Sequence, residues 1–190
     1  MTKGEARSAA RAAVAAMSDA EREWASGAIA DALTSLDEFK RARRPFVFLS
    51  KEGEPDTYEI VGLLLALERT VSVPRVVGRE MQAVVITPYT DFRKNRFGIE
   101  EPARGRATDV IDLAIVPLVA FDGMRRVGHG GGYYDRFLAG RECTKIGLAF
   151  SAQRVTGVQT LPHDIPLDLI ITEKEILRGE NAEINPFFGE

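Results

Sequence analysis

Six short, nearly continuous apolar runs punctuate the 190-residue chain: Phe46–Leu49, Val71–Val77, Ala83–Thr87, Asp112–Pro117, Lys145–Phe150 and Leu167–Thr172. Strands that alternate apolar and polar residues leave one face to water, whereas continuous runs are the pattern of strands covered on both faces. Parallel neighbours need a long crossover, usually a helix, to return the chain to the same edge. The runs therefore predict an α/β fold, a mostly parallel sheet flanked by helices on both faces, in a single domain spanning residues 1–190. A chain of this length buries about 70% of its unfolded surface around one core.

Helical periodicity fills the gaps. From Thr2 to Met17 the chain is Ala-rich, with Ala6, Ala9, Ala10, Ala13, Val14 and Met17 at helical spacing. Lys3, Arg7 and Arg11 step by four and so share one stripe of that helix. Ser18-Asp19-Ala20-Glu21 has the spacing of a capping box and opens a second helix carrying Trp24, Ala28, Ile29 and Leu33. A third helix is predicted over Thr57–Glu68, with Ile60, Val61, Leu64 and Leu67 inward. Tyr89–Thr108 has no clear period and is rich in Arg, Gly and Pro, as functional irregular segments often are.

Charge narrows the partners. With 25 Lys and Arg against 28 Asp and Glu, the net charge of -3 provides no global field for nucleic acid or a membrane surface. The one cysteine, Cys143, excludes an internal disulfide, and two histidines make a poor zinc site. The apolar runs are too short to span a bilayer, and Arg7 and Arg11 interrupt the N-terminal segment, so a cytoplasmic, monomeric protein without nucleic-acid or membrane partners is expected.

The most informative stretch is Arg126-Val127-Gly128-His129-Gly130-Gly131-Gly132-Tyr133-Tyr134-Asp135-Arg136, which follows the run Asp112–Pro117. Four glycines in five positions free successive N–H groups to face phosphate oxygens, with a helix starting at Tyr133 behind them. A Walker A loop would end in Gly-Lys-Ser/Thr, and a dinucleotide fingerprint would need glycine at Tyr133. Taken by spacing, the segment is a phosphate loop or a tight turn, and Asp135 is a magnesium ligand or an acidic residue stabilising a first helical turn.

Several ordered motifs together resemble the 5-formyltetrahydrofolate cyclo-ligase (5,10-methenyltetrahydrofolate synthetase) family. They are Lys3 and Arg7, Phe48-Leu49-Ser50 with Glu54 and Thr57, Lys94-Asn95-Arg96-Phe97-Gly98-Ile99-Glu100-Glu101-Pro102, the Gly-rich segment, and Leu161-Pro162-His163-Asp164 with Asp168. The resemblance implies a NagB/RpiA/CoA-transferase-like architecture and an ATP- and Mg²⁺-dependent closure of 5-formyltetrahydrofolate to 5,10-methenyltetrahydrofolate, releasing ADP and phosphate. It implies ATP contacts from Lys3, Arg7, Arg126, Val127, Gly128, His129, Gly130, Gly131, Gly132, Tyr133 and Tyr134. Folate contacts would come from Leu49, Glu54, Phe97 and the span His129 to Tyr133, and metal ligation from Asp135 and Asp168. No protein nucleophile is implied. At position 129 the family commonly has Arg or another large residue, and some members have Lys where Gly131 stands. Two other functions remain open on the sequence: a non-catalytic relative that binds folate or nucleotide, and a ligase on this scaffold acting on another formyl or amide compound.

Overall fold

The structure, a computed structural model, describes residues 1–159, 161–179 and 185–186. Three helices, α1 (Lys3–Ala15), α2 (Asp19–Ser35) and α3 (Asp37–Arg41), precede β1 (Pro45–Val47). Then come α4 (Tyr58–Ala66), β2 (Ser72–Val77), β3 (Glu80–Val85), β4 (Phe92–Lys94), β5 (Glu100–Pro102) and β6 (Ala107–Thr108). β7 (Leu113–Pro117), β8 (Ala120–Asp122), β9 (Arg125–Val127), α5 (Tyr133–Leu138), β10 (Thr144–Leu148), β11 (Leu169–Ile171), β12 (Glu175–Arg178) and β13 (Asn185–Pro186) complete the order.

Nine strands form the main sheet in the order β13-β12-β11-β10-β7-β1-β2-β3-β6. Its centre, β2-β1-β7-β10-β11, is parallel throughout, as the continuous apolar runs predict. Antiparallel strands extend both edges, β3 and β6 on one and β12 and β13 on the other.

Alternation along the strands divides the core in two. Leu113 and Ile115 of β7 face a layer built from α2, α3 and α4, where Ile29, Leu33, Phe39, Ile60 and Leu64 are buried. Ala114 and Val116 face the other way, onto Phe46, Phe137 and Leu138, so that α5 covers the second face. The Phe46 and Phe137 rings lie 4.6 Å apart there. Truncating Ile115 to Ala, in a site with no exposed surface, costs about 2–5 kcal/mol. The small residues of α1 have a different purpose: Ala6 and Ala10 allow the helix to lie close against Ala120, Val127 and Val158.

The predicted third helix is shorter than the Thr57–Glu68 pattern at both ends: Thr57 is its N-cap and Leu67 its C-cap, where Leu67 is exposed and not inward as the pattern predicts, and Glu68 has a positive φ. The Thr57 hydroxyl donates to Phe48 O at 2.7 Å and accepts from Ser50 N–H at 3.0 Å, fixing the loop after β1. The unpatterned Tyr89–Thr108 region holds the β4–β5 hairpin, paired from Phe92–Pro102 to Lys94–Glu100.

Candidate functional site

In a parallel sheet, loops at the carboxyl ends of the strands gather on one edge, where ligands bind. β7 delivers the chain to that edge at Pro117, the β8–β9 hairpin turns it back, and the Gly-rich loop crosses to α5. Gly132, the cap residue of α5, has a φ of +68°, which a side chain would strain, and a Cβ there would lie 2.7 Å from Arg136 Nη1. A cavity of about 750 Å³ opens between this loop, α1 and the edge of β2 and β3.

One wall is polar. Arg7 reaches from α1 to donate Nε–H to Gly128 O at 2.7 Å, and its two terminal nitrogens make no hydrogen bond among the described residues. Lys3 Nζ lies 2.5 Å from Asp164 Oδ1, whose partner oxygen accepts from Leu161 N–H at 2.7 Å. Burial disfavours the charge on Asp164, but Lys3, the Leu161 N–H and His163 outweigh it and hold the carboxyl below its ordinary value. Asp135, in the first turn of α5, accepts from Arg126 Nη2 at 2.9 Å and from Ile165 N–H at 3.4 Å, all through Oδ1. Adjacent residues Asp164 and Ile165 thus tie the cation of α1 and the carboxylate of α5 to one segment.

The opposite wall is apolar. Pro74 and Val76 of β2, Met81 of β3, and Phe97 and Ile99 of the β4–β5 hairpin line it. Phe97 sits at the hairpin tip, half-exposed, edge-on to Tyr133 at 6.1 Å. Arg96 stacks on Phe97 and donates to the Tyr133 hydroxyl at 2.7 Å, closing the rim between hairpin and α5. The hairpin is anchored from below by Glu101, a buried carboxylate accepting from Val76 N–H at 3.1 Å and Asn95 Nδ2 at 3.3 Å. Tyr58 of α4 adds a tie, donating to Glu100 at 2.9 Å; burial, then this bond, push its phenol up to about 12.

Between the walls, Glu54 and Leu49 come from the loop after β1. Glu54 Oε1 meets His129 Nε2 at 3.0 Å, and Glu54 Oε2 accepts from Lys51 N–H at 3.0 Å. Tyr134 packs edge-on to Phe46 at 6.5 Å, and burial, reinforced by the Glu54 charge, pushes its phenol well up despite Arg126.

The cavity brings together Lys3, Arg7, Leu49, Glu54, Phe97, Arg126, Gly128 to Tyr134 and Asp135. Two expectations need correction. Asp168 is not beside Asp135: it precedes β11, its carboxylate accepting from Lys145 N–H at 2.7 Å, and it lines a depression with Glu38, Arg44 and Asp112. A residue just ahead of a parallel strand lies at the amino edge of the sheet, away from the ligand edge. Val127 does not line the cavity either, because it is the neighbour of Arg126 in a strand and so faces α1, where it is buried. Arg11 lies one turn beyond Arg7 and lines a separate depression with Lys51 and Arg22.

Asp164, His163 and the apolar wall had no sequence-derived role. Asp164 stood in a quoted motif, yet only the fold distinguishes it from Asp168, four residues later. Pro74, Val76 and Met81 carried a signal in the strand alternation that places them on one side of β2 and β3.

Fold and site together define a class: a mostly parallel α/β domain with cations, a Gly-rich loop and two carboxylates facing an apolar ring-sized wall across one cavity. The sequence matches the 5-formyltetrahydrofolate cyclo-ligase family over residues 1–173, and the chain belongs to that family. It is 30% identical over 149 residues to a 5-formyltetrahydrofolate cyclo-ligase of Haemophilus influenzae, covering 72% of this chain and 80% of the relative. The counterpart from Escherichia coli K12 is 32% identical over 142 residues, 68% of this chain and 78% of that one. Among solved structures, the Aquifex aeolicus 5,10-methenyltetrahydrofolate synthetase superposes with a TM-score of 0.84 at 30% identity, covering 97% of each chain.

Proposed function

We propose that this chain catalyses the ATP- and Mg²⁺-dependent cyclisation of 5-formyltetrahydrofolate to 5,10-methenyltetrahydrofolate, releasing ADP and phosphate. The observation that carries the reading is the two-walled cavity, with phosphate-binding groups facing an apolar wall across about 750 Å³. The formyl oxygen of the substrate is a poor leaving group, so it takes the γ-phosphoryl group from ATP and ADP departs. N10 then attacks the activated carbon and gives up its proton to solvent, the C–O bond breaks, and phosphate leaves with its oxygen. Such transfer is governed by positioning and charge neutralisation and needs no protein nucleophile.

In this reading Lys3 and Arg7 hold the phosphates from α1, and the N–H groups of the loop from Gly128 to Gly132 line the other side. Tyr133 and Phe97 bound the folate ring, Leu49 supports it, and Glu54 accepts pterin N–H groups after exchanging its contact with His129. Asp135 fits a magnesium ligand: it is an oxygen donor on the cavity, its Oδ2 makes no hydrogen bond among the described residues, and phosphate oxygens complete such a shell. The ion would neutralise charge developing on the transferred phosphoryl group. A cytoplasmic monomer belongs to the same reading; among the described residues no helix is long and apolar enough to cross a membrane.

The test is to incubate the protein with ATP, Mg²⁺ and 5-formyltetrahydrofolate and follow methenyl absorbance and ADP together. Both should rise in equal amounts. ADP no higher than in the folate-free control overturns the proposal.

A further inference from the structure

We infer that Arg126 is a positioning residue, acting through Asp135 instead of gripping phosphate itself, an inference that rests on the proposed nucleotide site. Its place at the head of the Gly-rich segment suggests a phosphate ligand, but its surroundings do not suit one. The side chain is 3% exposed and lies beneath the loop. Nη2 is committed to Asp135 Oδ1 at 2.9 Å, and Nη1 to Pro117 O, at the end of β7, at 3.3 Å. The guanidinium carbon lies 5.6 Å from the Tyr134 ring centroid, and Nε is buried without a partner. Gly128 passes so close above it that a Cβ there would sit 2.7 Å from Nη1.

A guanidinium grips phosphate by presenting two parallel N–H groups on one edge. Each terminal nitrogen of Arg126 gives an N–H to a protein acceptor, and burial beneath the loop keeps the remaining N–H groups from presenting such a fork to the cavity. Arg7 is the contrast, since it is held by Nε alone and keeps both terminal nitrogens without a hydrogen bond among the described residues. The bonds of Arg126, in β9 just before the loop, join the end of β7 to the first turn of α5 just after it, so that the far end of the loop is tied back to the sheet. They also fix one oxygen of Asp135 while leaving Oδ2 for an outside partner. Groups of this kind, one contact removed from a metal, typically change its affinity about 10- to 100-fold when replaced.

The experiment is calorimetric binding of a non-hydrolysable ATP analogue to the wild type, Arg126→Lys, Asp135→Asn and the double variant, each with Mg²⁺ and with EDTA. Lys keeps the charge but cannot reach both acceptors. Arg126→Lys should weaken binding about tenfold in Mg²⁺ and less than twofold in EDTA, and should add less than twofold to Asp135→Asn. Equal weakening with and without Mg²⁺, undiminished in the Asp135→Asn background, would identify a direct phosphate ligand and overturn the inference. If thermal melts show that Arg126→Lys does not fold, Arg126→Met with Asp135→Asn, which removes both charges, is compared with Asp135→Asn alone; equal affinity supports positioning and a further tenfold loss overturns it. A wild type that binds no nucleotide overturns the proposed function and this inference together, whereas binding with additive losses defeats only the role of Arg126.

Discussion

On the Gly-rich wall the polar groups are locked to one another: Arg7 to Gly128, Lys3 to Asp164, and Arg126 to Asp135 and Pro117. On the hairpin wall the ligand-facing groups are mostly apolar, and Phe97 and Arg96 meet the rest of the rim at Tyr133. Dipoles and charges fixed before substrate arrives need no reorganisation during reaction, which suits phosphoryl transfer. The hairpin, held to β2 through Glu101 and to α4 through Tyr58, turns its apolar residues to the cavity, which suits selection of a large ring system. The two walls therefore divide the work, one serving the chemical step and the other the choice of substrate.

That division predicts the largest loss on the first wall. Asp135→Asn should lower kcat on the order of 100-fold and raise the Mg²⁺ concentration needed for half-maximal rate, and should also lower thermal stability, because the buried Arg126 guanidinium loses its counter-charge. A magnesium titration that superimposes on the wild type would remove Asp135 from the metal site. Next comes Lys3→Ala with Arg7→Ala, expected to raise KM for ATP roughly tenfold per cation while moving KM for folate less than twofold. Equal effects on both substrates would mean that the stripe is only a solvated helix face.

How far the sequence discloses this arrangement differs between the same two walls. The central strands and α5 are legible because continuous apolar runs and a Gly cluster leave few local alternatives. α3, the outer strands β6, β12 and β13, and the separate β4–β5 hairpin are not, since they are short and lack a continuous apolar run; Phe92, Arg93 and Lys94 of β4 are all exposed. The polar wall is legible as a set of motifs but not as a geometry. Nothing in the spacing of Asp164 and Asp168 tells which lies at the ligand edge, because that depends on where β11 begins. Likewise Val127 belongs to the Gly-rich motif in sequence and to the α1 interface in space, a consequence of strand alternation. The hairpin wall is least legible, because its placement depends on Glu101 finding Val76 N–H, a contact 25 residues apart in the chain.

Glu101 gives the corresponding test of the second wall. Glu101→Ala leaves the part-buried Val76 N–H without its acceptor and costs about 0.5–1.5 kcal/mol of stability. It should raise KM for folate severalfold and leave KM for ATP within twofold, because Arg7, Lys3 and the loop have no contact with the hairpin anchor. If the ATP constant rises as much, the walls are coupled and the division of work fails. Phe97→Ala should act in the same direction with a smaller effect on stability, within about 0.5 kcal/mol, since the ring is half-exposed.

The smallest expected difference is in acid. Asp164 is held below the ordinary carboxylate value, against the opposing effect of burial, by Lys3, the Leu161 N–H and His163, so its contribution to stability is complete above that value, 3.8. The contribution diminishes as pH falls below 3.8 and is lost as pH passes through the lower value of the folded state. The pair lies at the cavity rim, where solvent screens it, and its worth is at most about 1 kcal/mol. Metal-free melts of the wild type and Asp164→Asn should therefore differ by a small constant amount from pH 7 to pH 5 and converge as pH falls further. A gap that persists unchanged through the acid range would show that Asp164 stabilises the rim by its hydrogen-bond geometry and not by its charge, and would remove the electrostatic link between α1 and the segment before β11.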